Sequence, residues 1–421
     1  MSNPLNGLVK PMTITNDMLF LGRQPVLDRD QSIIAYELLF RSGTTNSAET
    51  SDDFSATSTV INHAFNELGI ETALGPYGGF INMNESLLMS GVVEILPASK
   101  IVIEILETVQ ISDHLIARCT ELKLMGFTLA LDDFTHYDPE ARALLDLVDI
   151  VKIDLLTVDH SKLEALVNKL KEWPVQVLAE KVDSLELFNL CMSLGFDLFQ
   201  GYFFAKPQII SGKRLSQSKP ILLKLLGQVT TDAEIDEIVA TIQQYPSLSI
   251  NLLRLTNSVA CGIQHKVTSL TSAITILGRR QLQKWILILL YSENPSNSST
   301  SNPLLQLAAR RGKLMELLSS AMHDKAFKET AFMIGILSLM DALLGLPMDE
   351  ILTSISVSAE VGDTLTKRAG NLGKLLTIVE NLERGSMENI DACLSQCSYI
   401  SLHDISLAQV DSLQWVNNIT A

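Results

Sequence analysis

Short apolar segments that end in a polar residue recur through the first half of the chain. The polar positions that close them are Glu37, Asn82, Glu104, Asp132 with Asp133, Lys152, Glu180 and Gln200. From Asn82 to Gln200 these positions are 22, 28, 20, 28 and 20 residues apart. Such spacing matches one strand plus one helix and predicts a β/α barrel. Because the strand ends of a barrel open onto one face, we expect these side chains to converge.

The pattern changes on either side of this region. Residues 1–17 are predicted to be a leader, and a strand pair at 18–27 and 33–40 opens a barrel domain that spans 18–210. From residue 220 onward the apolar positions recur every three or four residues, which is typical of amphipathic helices. We therefore predict a second, all-helical domain at 218–410.

Composition narrows the classes of partner. The 421 residues are 47% hydrophobic, which is enough for two globular domains, and the formal net charge is −16. An acidic chain is unsuited to nucleic acid, because phosphate contacts require clustered Lys and Arg. A small anionic ligand stays open, since metal ions supply positive charge locally. Without a long apolar run or a signal-like start, we expect a cytoplasmic protein with no membrane span.

Eight motifs span roughly residues 18–210 of the first domain. They are Gln24-Pro25-Val26, Tyr36-Glu37-Leu38-Leu39-Phe40-Arg41, Phe80-Ile81-Asn82, Glu104-Ile105-Leu106-Glu107, Leu131-Asp132-Asp133-Phe134, Val151-Lys152-Ile153-Asp154, Ala179-Glu180-Lys181-Val182-Asp183 and Gln200-Gly201-Tyr202-Phe203-Phe204-Ala205-Lys206-Pro207. In this order they resemble the motifs of EAL domains, the phosphodiesterases and receptors of cyclic di-GMP.

This resemblance implies a modified TIM barrel that binds two divalent cations and linearises the cyclic dinucleotide. Oxygen ligands favour Mg²⁺ or Mn²⁺. The metal ligands implied are Glu37, Asn82, Glu104 and Asp132 for the first cation, with Asp132 shared and Asp133 serving the second. Lys152 would orient the attacking water, and Glu180 would act as its base or direct a metal. Contacts to the dinucleotide or to its water are implied for Gln24, Arg41, Asp154, Gln200 and Pro207, and supporting roles for Glu107 and Asp183.

The chain also departs from the family pattern. The loop at residues 134–139 lacks the glycines that active members usually carry, and Pro139 stiffens it further. Lys181 stands where glycine is usual, and Asp183 is one methylene shorter than the usual Glu. These changes argue against a well-ordered second cation site. Family dimers run through the region of this loop, so a homodimer stays open.

The second domain carries Pro246-Ser247-Leu248-Ser249 and Leu252-Leu253-Arg254-Leu255-Thr256-Asn257-Ser258. These motifs resemble the HDOD domain, an all-helical relative of HD-type phosphohydrolases, and the resemblance is clearest between Pro246 and Gly278. Enzymatic relatives end an apolar helix in a metal-binding His-Asp pair, whereas the comparable helix at residues 331–337 ends in Ser338-Leu339, which cannot chelate a cation. The His323-Asp324 pair precedes that helix and lacks a partner cluster. This domain is therefore interpreted as a non-catalytic module for a protein partner, which the sequence does not identify.

Two functional hypotheses follow. The first is a weak or regulated cyclic di-GMP phosphodiesterase, which the ligand set with Lys152 and Glu180 favours. The second is an inactive receptor or scaffold, which the altered loop with Lys181 and Asp183 favours.

Overall fold

The structure is a computed structural model that describes most of the chain. The described residues are 19–42, 70–206, 219–257, 267, 269–292, 302–322, 325–355, 357–384, 390, 393–394, 397 and 399–420. The predicted leader and the His323-Asp324 pair lie outside them.

Eight strands form a closed barrel in sequence order. They are β1 Leu19–Leu27, β2 Ile33–Ser42, β3 Gly78–Met83, β4 Ile101–Ile105, β5 Thr128–Leu131, β6 Ile150–Asp154, β7 Gln176–Glu180 and β8 Leu198–Gln200. β1 runs antiparallel to both β2 and β8, while all other neighbours are parallel. The predicted modified barrel is confirmed, and its modification is the reversed first strand.

The reversal of β1 follows from the short turn to β2. The Asp28 carboxylate accepts hydrogen bonds from the backbone N–H groups of Asp30, at 2.9 Å, and Ser32, at 2.8 Å. Gln31 takes a positive φ of 60° to complete the turn. A connection this short can only join antiparallel neighbours, because a parallel pair requires a long crossover.

An apolar plug closes the barrel beneath the polar strand ends. It consists of Val26, Ala35, Phe80, Ala130, Ile150, Leu178 and Leu198, with Val102 packed against it. On β2 to β8, each plug residue precedes one of the predicted polar residues by two positions. Since side chains alternate along a strand, both members of each pair face the barrel interior. The polar residues therefore form an inner layer directly above the plug.

Short helices surround the barrel. They are α1 Ile70–Leu74, α2 Glu85–Leu88, α3 Asp113–Leu124, α4 Arg142–Leu145, α5 His160–Leu170 and α6 Leu185–Leu194, with 3₁₀ turns at Val93–Ile95, Pro139–Ala141 and Phe203–Ala205. The starts of α3 and α6 are capped by Ser112 and Ser184, whose hydroxyls accept backbone hydrogen bonds at 3.2 Å from Leu115 and Leu187. These caps fix where the helices begin after β4 and β7.

The second half is helical, which confirms the predicted all-α domain. Its helices are α7 Lys219–Thr230, α8 Ile235–Gln243, α9 Pro246–Thr256, α10 Leu270–Ser292, α11 Pro303–Leu318, α12 Lys325–Leu337, α13 Met340–Leu344, α14 Met348–Ile355, α15 Ala359–Lys367, α16 Gly370–Glu383 and α17 Leu402–Thr420, with a 3₁₀ turn at Ser319–Met322. Among the described helices, none is long and apolar enough to cross a membrane.

The helical half packs directly on the barrel. Helices α16 and α17 contact β1, α17 also contacts α1, and α11 contacts the 3₁₀ turn after β8. The Asn417 amide donates to the backbone carbonyl of Thr72 at 2.9 Å. The predicted domain borders near residues 17 and 210–218 lie outside the described residues and stay predictions. Helix α17 runs beyond residue 410, the predicted end of the second domain.

Candidate functional site

Lys152 lies at the centre of the polar layer. Its Nζ lies 2.8 Å from Glu180 Oε1, 3.1 Å from Asp132 Oδ1 and 3.9 Å from Glu37 Oε2, and it also contacts Glu104. Only 1% of the lysine side chain is exposed, so the ammonium is held by these carboxylates. One positive charge therefore faces four negative ones in a buried space.

Two side-chain amides orient the carboxylate of Glu37. The Asn82 Nδ2 donates to Glu37 Oε1 at 2.9 Å, and the Gln200 Nε2 donates to Glu37 Oε2. The carbonyl oxygens of both amides therefore point away from Glu37. Neither Asn82 Oδ1 nor Gln200 Oε1 has a hydrogen-bond partner in the described part of the chain, although both atoms are buried. Orphaned oxygens of this kind require an explanation.

The negative charge of the layer is poorly compensated. Burial, and after it the nearby charges of Glu180, Asp133 and Glu37, raise the pKa of Asp132 to about 8. Burial is also the main cause of the raised pKa of Asp133 and of Glu180. Carboxylates that repel one another in a low-dielectric site bind either protons or cations.

The carboxylates form two groups with metal-ligand geometry. Glu37, Glu104 and Glu180 bring oxygens within 4.8 Å of one another, and so do Glu107, Asp132 and Asp133. The buried Glu104 Oε2 has no hydrogen-bond partner among the described residues. Two groups of carboxylate oxygens, together with the unpartnered amide oxygens of Asn82 and Gln200, fit the hard divalent cations that bind oxygen ligands.

Comparisons with known proteins agree with this arrangement. The family model of the EAL domain matches residues 11–207, and that of the HDOD domain matches residues 220–349. The protein YuxH of Bacillus subtilis (strain 168) is 31% identical over 407 residues, which cover 95% of this chain and 98% of YuxH. The chain belongs to the EAL–HDOD family.

Two further relatives come from Vibrio cholerae. The cyclic di-GMP phosphodiesterase CdgJ of serotype O1 (strain ATCC 39315 / El Tor Inaba N16961) is 31% identical over 415 residues, which cover 97% of this chain and 95% of CdgJ. A crystal structure of a standalone EAL protein from strain O395, in its c-di-GMP-bound form, is 25% identical. It covers 46% of this chain and 93% of that protein, with a TM-score of 0.36.

The loop after β5 of the EAL domain contains Asp133 and no glycine. Asp133 itself adopts a left-handed backbone with φ of 45°, and the next residue, Phe134, donates its N–H to the carbonyl of Lys152 at 2.9 Å. Asp138 then caps the 3₁₀ turn that begins at Pro139. The loop thus brings Asp133 next to Glu107, which the sequence placed only in a supporting role. Whether a second cation is ordered there stays a prediction.

Lys181 is the second residue of the site with a left-handed backbone. Its φ is 55°, a conformation that glycine adopts with less strain, and Lys181 stands where the family usually has glycine. The Lys181 ammonium pairs with Asp154 Oδ2, which raises the pKa of the lysine. Asp154 Oδ1 accepts the N–H of Leu156 at 2.8 Å. Asp154 is therefore buried and already bonded to the protein, and its predicted contact with a dinucleotide stays a prediction.

The other predicted ligand contacts lie at the edge of the barrel mouth. Gln24 is paired with Glu37 across the β1–β2 ladder and lines a cleft between the two domains. Asp183 is exposed and forms an ion pair with Lys206 at 3.1 Å, away from the carboxylate groups. The side chain of Arg41 and all of Pro207 lie outside the described residues.

The cleft beside the mouth was not foreseen from the sequence. Its volume is about 630 Å³. The EAL domain contributes Gln24, Lys181 and Tyr202 to its wall, and the HDOD domain contributes Arg368 and Arg384. Tyr202 belongs to a family motif, but no spacing pattern links it to a residue in a separate domain. Only the folded arrangement brings these groups together.

Proposed function

We propose that the EAL domain binds cyclic di-GMP and hydrolyses one phosphodiester bond to give the linear dinucleotide, with weak or regulated activity. The main support is the convergence of Lys152 with the carboxylates of Glu37, Glu104, Asp132 and Glu180 at the barrel mouth. The relative CdgJ, a cyclic di-GMP phosphodiesterase that is 31% identical, adds support.

Mg²⁺ or Mn²⁺ is the proposed cofactor. Glu37, Asn82, Glu104 and Asp132 would hold one ion, and Asp132 and Asp133, joined by Glu107, would hold another. When bound, the cations would lower the pKa of the attacking water and offset the negative charge of the phosphodiester. The unpartnered oxygens of Asn82 and Glu104 support this assignment.

Glu180 is the proposed general base. Burial raises the pKa of its carboxyl, which increases the affinity of the carboxylate for a proton, as a base near neutral pH requires. The Lys152 ammonium, 2.8 Å from Glu180 Oε1, fixes the direction of that carboxylate. The water oxygen would bond to phosphorus while Glu180 takes its proton, and a proton would pass to the departing ribose oxygen.

The HDOD domain is proposed to be non-catalytic and to bind a protein partner. Ser338 stands where an enzymatic relative would carry a metal-binding pair. In this chain its hydroxyl accepts a hydrogen bond from Arg311 Nη1 at 2.8 Å and donates one to the carbonyl of Gly335 at 2.7 Å. A cytoplasmic location, as predicted from the sequence, belongs to the same proposal.

A receptor without turnover is the alternative. Basic side chains already lie along the cleft, among them Lys181, Arg368 and Arg384. These groups would attract an anionic dinucleotide without any chemical step. The strained backbone at Lys181, in place of the family's usual glycine, is the observation that favours this alternative.

One experiment separates the two proposals. The purified full chain is incubated with cyclic di-GMP and Mn²⁺ or Mg²⁺, the linear product is measured by chromatography, and binding is measured by calorimetry. Turnover that chelation removes, and that Glu37→Gln abolishes, would support the phosphodiesterase. The matched control is Glu164→Gln on an exposed face of α5, which should leave turnover unchanged.

The remaining outcomes are equally informative. Binding without a linear product would support the receptor. The absence of both binding and turnover would support a scaffold. Turnover that persists in Glu37→Gln would contradict the proposed ligand set.

A further inference from the structure

A second, smaller cavity lies between the EAL and HDOD domains. Its volume is about 50 Å³. Arg23 and Tyr36 line it from the barrel, and Gln306, Arg310 and Glu383 line it from the helical domain. It adjoins the larger cleft, because Gln24, Gly201 and Tyr202 line both spaces.

Arg310 of α11 is buried in this wall and forms no ion pair with a described residue. Its exposed fraction is 9%, and its Nε is buried with no hydrogen-bond partner among the described residues. No ion pair to its guanidinium forms within the described part of the chain. A buried, unpaired charge is costly, so the site calls for a negative partner.

Arg23 of β1 adds a second buried positive charge. Its exposed fraction is 8%, and its Nη1 donates to the carbonyl of Ala73 at 3.0 Å. Its guanidinium carbon lies 4.1 Å from the centroid of the Tyr36 ring. Neither contact neutralises the charge. Burial and the charge of Arg23 lower the pKa of Arg310 to about 10 although Glu383 raises it, so the Arg310 guanidinium stays protonated at neutral pH.

The carboxylate that lines the cavity is already used. Glu383 pairs with Arg311, whose Nε lies 2.9 Å from Glu383 Oε1, and it accepts the hydroxyl of Tyr202 at 2.8 Å. The Glu383 carboxylate is therefore bonded to Arg311 and acts on Arg310 only from beyond ion-pair distance. Among the described lining residues, no other carboxylate is present.

We propose that the cavity between Arg23 and Arg310 is a binding site for a small phosphate-type anion. Two guanidinium groups from opposite walls offer several N–H donors to one anion, and the planar fork of arginine suits phosphate oxygens. Each domain supplies one arginine, so the anion would join the EAL and HDOD domains. The site is separate from the carboxylate layer and does not depend on hydrolysis at the barrel mouth.

Inorganic phosphate is the first probe. The full chain is titrated in a chelator, without divalent cations, and binding is followed by calorimetry and by the shift in melting temperature. We expect phosphate to raise the melting temperature of the native chain, since a ligand of the folded state stabilises it. Arg310→Gln should weaken phosphate binding at least ~10-fold, as loss of charge-assisted hydrogen bonds requires. The control Arg280→Gln removes an exposed, ion-paired arginine and should change nothing.

The unliganded variant gives a second readout. Because Arg310 is buried without a partner, Arg310→Gln should melt no lower than the native chain when phosphate is absent. If Arg310 serves only the packing of α11, its replacement would lower the melting temperature and leave phosphate affinity unchanged. Should Arg310→Gln fail to fold, Arg23→Gln on the opposite wall tests the same site and should show the same loss.

The source of the anion is distinguished by a parallel titration with guanosine monophosphate and the linear dinucleotide. Binding of inorganic phosphate that requires Arg310 would identify a free anion. Binding confined to the nucleotides, and lost in Arg310→Gln, would identify a nucleotide phosphate. The absence of both, or affinities that are equal in native and Arg310→Gln chains, would overturn the proposal.

Discussion

Glu104 combines complete burial with one oxygen that lacks a hydrogen-bond partner among the described residues. We predict that Glu104→Gln weakens Mn²⁺ binding by at least ~10-fold, because even loss of a partner of a metal ligand has that effect. In a chelator the same variant should melt close to the native chain, since it removes one of several mutually repelling carboxylates. Melting curves with and without Mn²⁺ test both statements, with Glu164→Gln as the control. Equal Mn²⁺ affinities would exclude Glu104 as a ligand.

Two opposite contributions to the stability of the folded protein act at Lys181. Lys181→Gly would relieve roughly 1 kcal/mol of left-handed backbone strain. It would also leave the buried Asp154 without its cation, which costs about 3 kcal/mol in a closed site and less here because Lys181 is half exposed. We therefore expect a net loss of about 1 kcal/mol in the free energy of unfolding.

A double-mutant cycle by urea denaturation measures that balance. Combining Lys181→Gly with Asp154→Asn removes the unpaired charge, so the double variant should be more stable than Lys181→Gly alone. If the effects of the two substitutions on the free energy of unfolding are additive, the ion pair contributes nothing and backbone strain alone governs this position.

At the scale of elements, the strand that ends in Gln200 depends on Gly201. Gly201 has a φ of 152°, and a Cβ added there would lie 1.9 Å from the carbonyl oxygen of Val182. We predict that Gly201→Ala lowers the free energy of unfolding by at least about 2 kcal/mol. It should also weaken Mn²⁺ binding, because Gln200 orients Glu37. Gly362→Ala, in open space on α15, should instead be neutral or stabilising by about 0.5 kcal/mol. Similar effects of the two substitutions would contradict this account.

The elements and the inner layer of the site were predictable from the sequence for a physical reason. Side chains alternate along a strand, so Phe80 with Asn82, or Leu178 with Glu180, marks an apolar plug beneath a polar mouth. The antiparallel β1–β2 ladder was less explicit, although the turn residues that cause it were visible. The left-handed backbone at Asp133 was not predicted, because its conformation depends on contacts such as that between Phe134 and the distant Lys152 carbonyl.

At the scale of the whole molecule, patterns along the sequence do not predict the interface between the two domains. Tyr202 follows β8 of the EAL domain, whereas Arg311 and Glu383 belong to different helices of the HDOD domain. Their contacts join residues 109 and 181 positions from Tyr202 in the sequence. No periodicity along the chain encodes such a meeting. The resemblance to two separate families describes each domain but not how the two domains pack against each other.

Tyr202 is one connection between the HDOD domain and Gln200 of the polar layer, which lies two positions earlier in the sequence. Tyr202→Phe removes the hydroxyl that donates to Glu383 Oε2 at 2.8 Å and keeps the ring. Loss of a hydrogen bond to a buried charged group should lower the free energy of unfolding by about 2 kcal/mol. Because Glu383 and Arg311 lie in the other domain, we expect the thermal unfolding of the two domains to separate.

The measurement is differential scanning calorimetry of the full chain. The native protein should unfold with the two domains closely coupled, and Tyr202→Phe should broaden or split the transition. Tyr245→Phe, at the start of α9 within the HDOD domain, is the matched control and should leave the shape of the transition unchanged. If Tyr202→Phe lowers the melting temperature without altering that shape, Tyr202 stabilises the EAL domain alone, and coupling must pass through other contacts, such as that between Asn417 and Thr72.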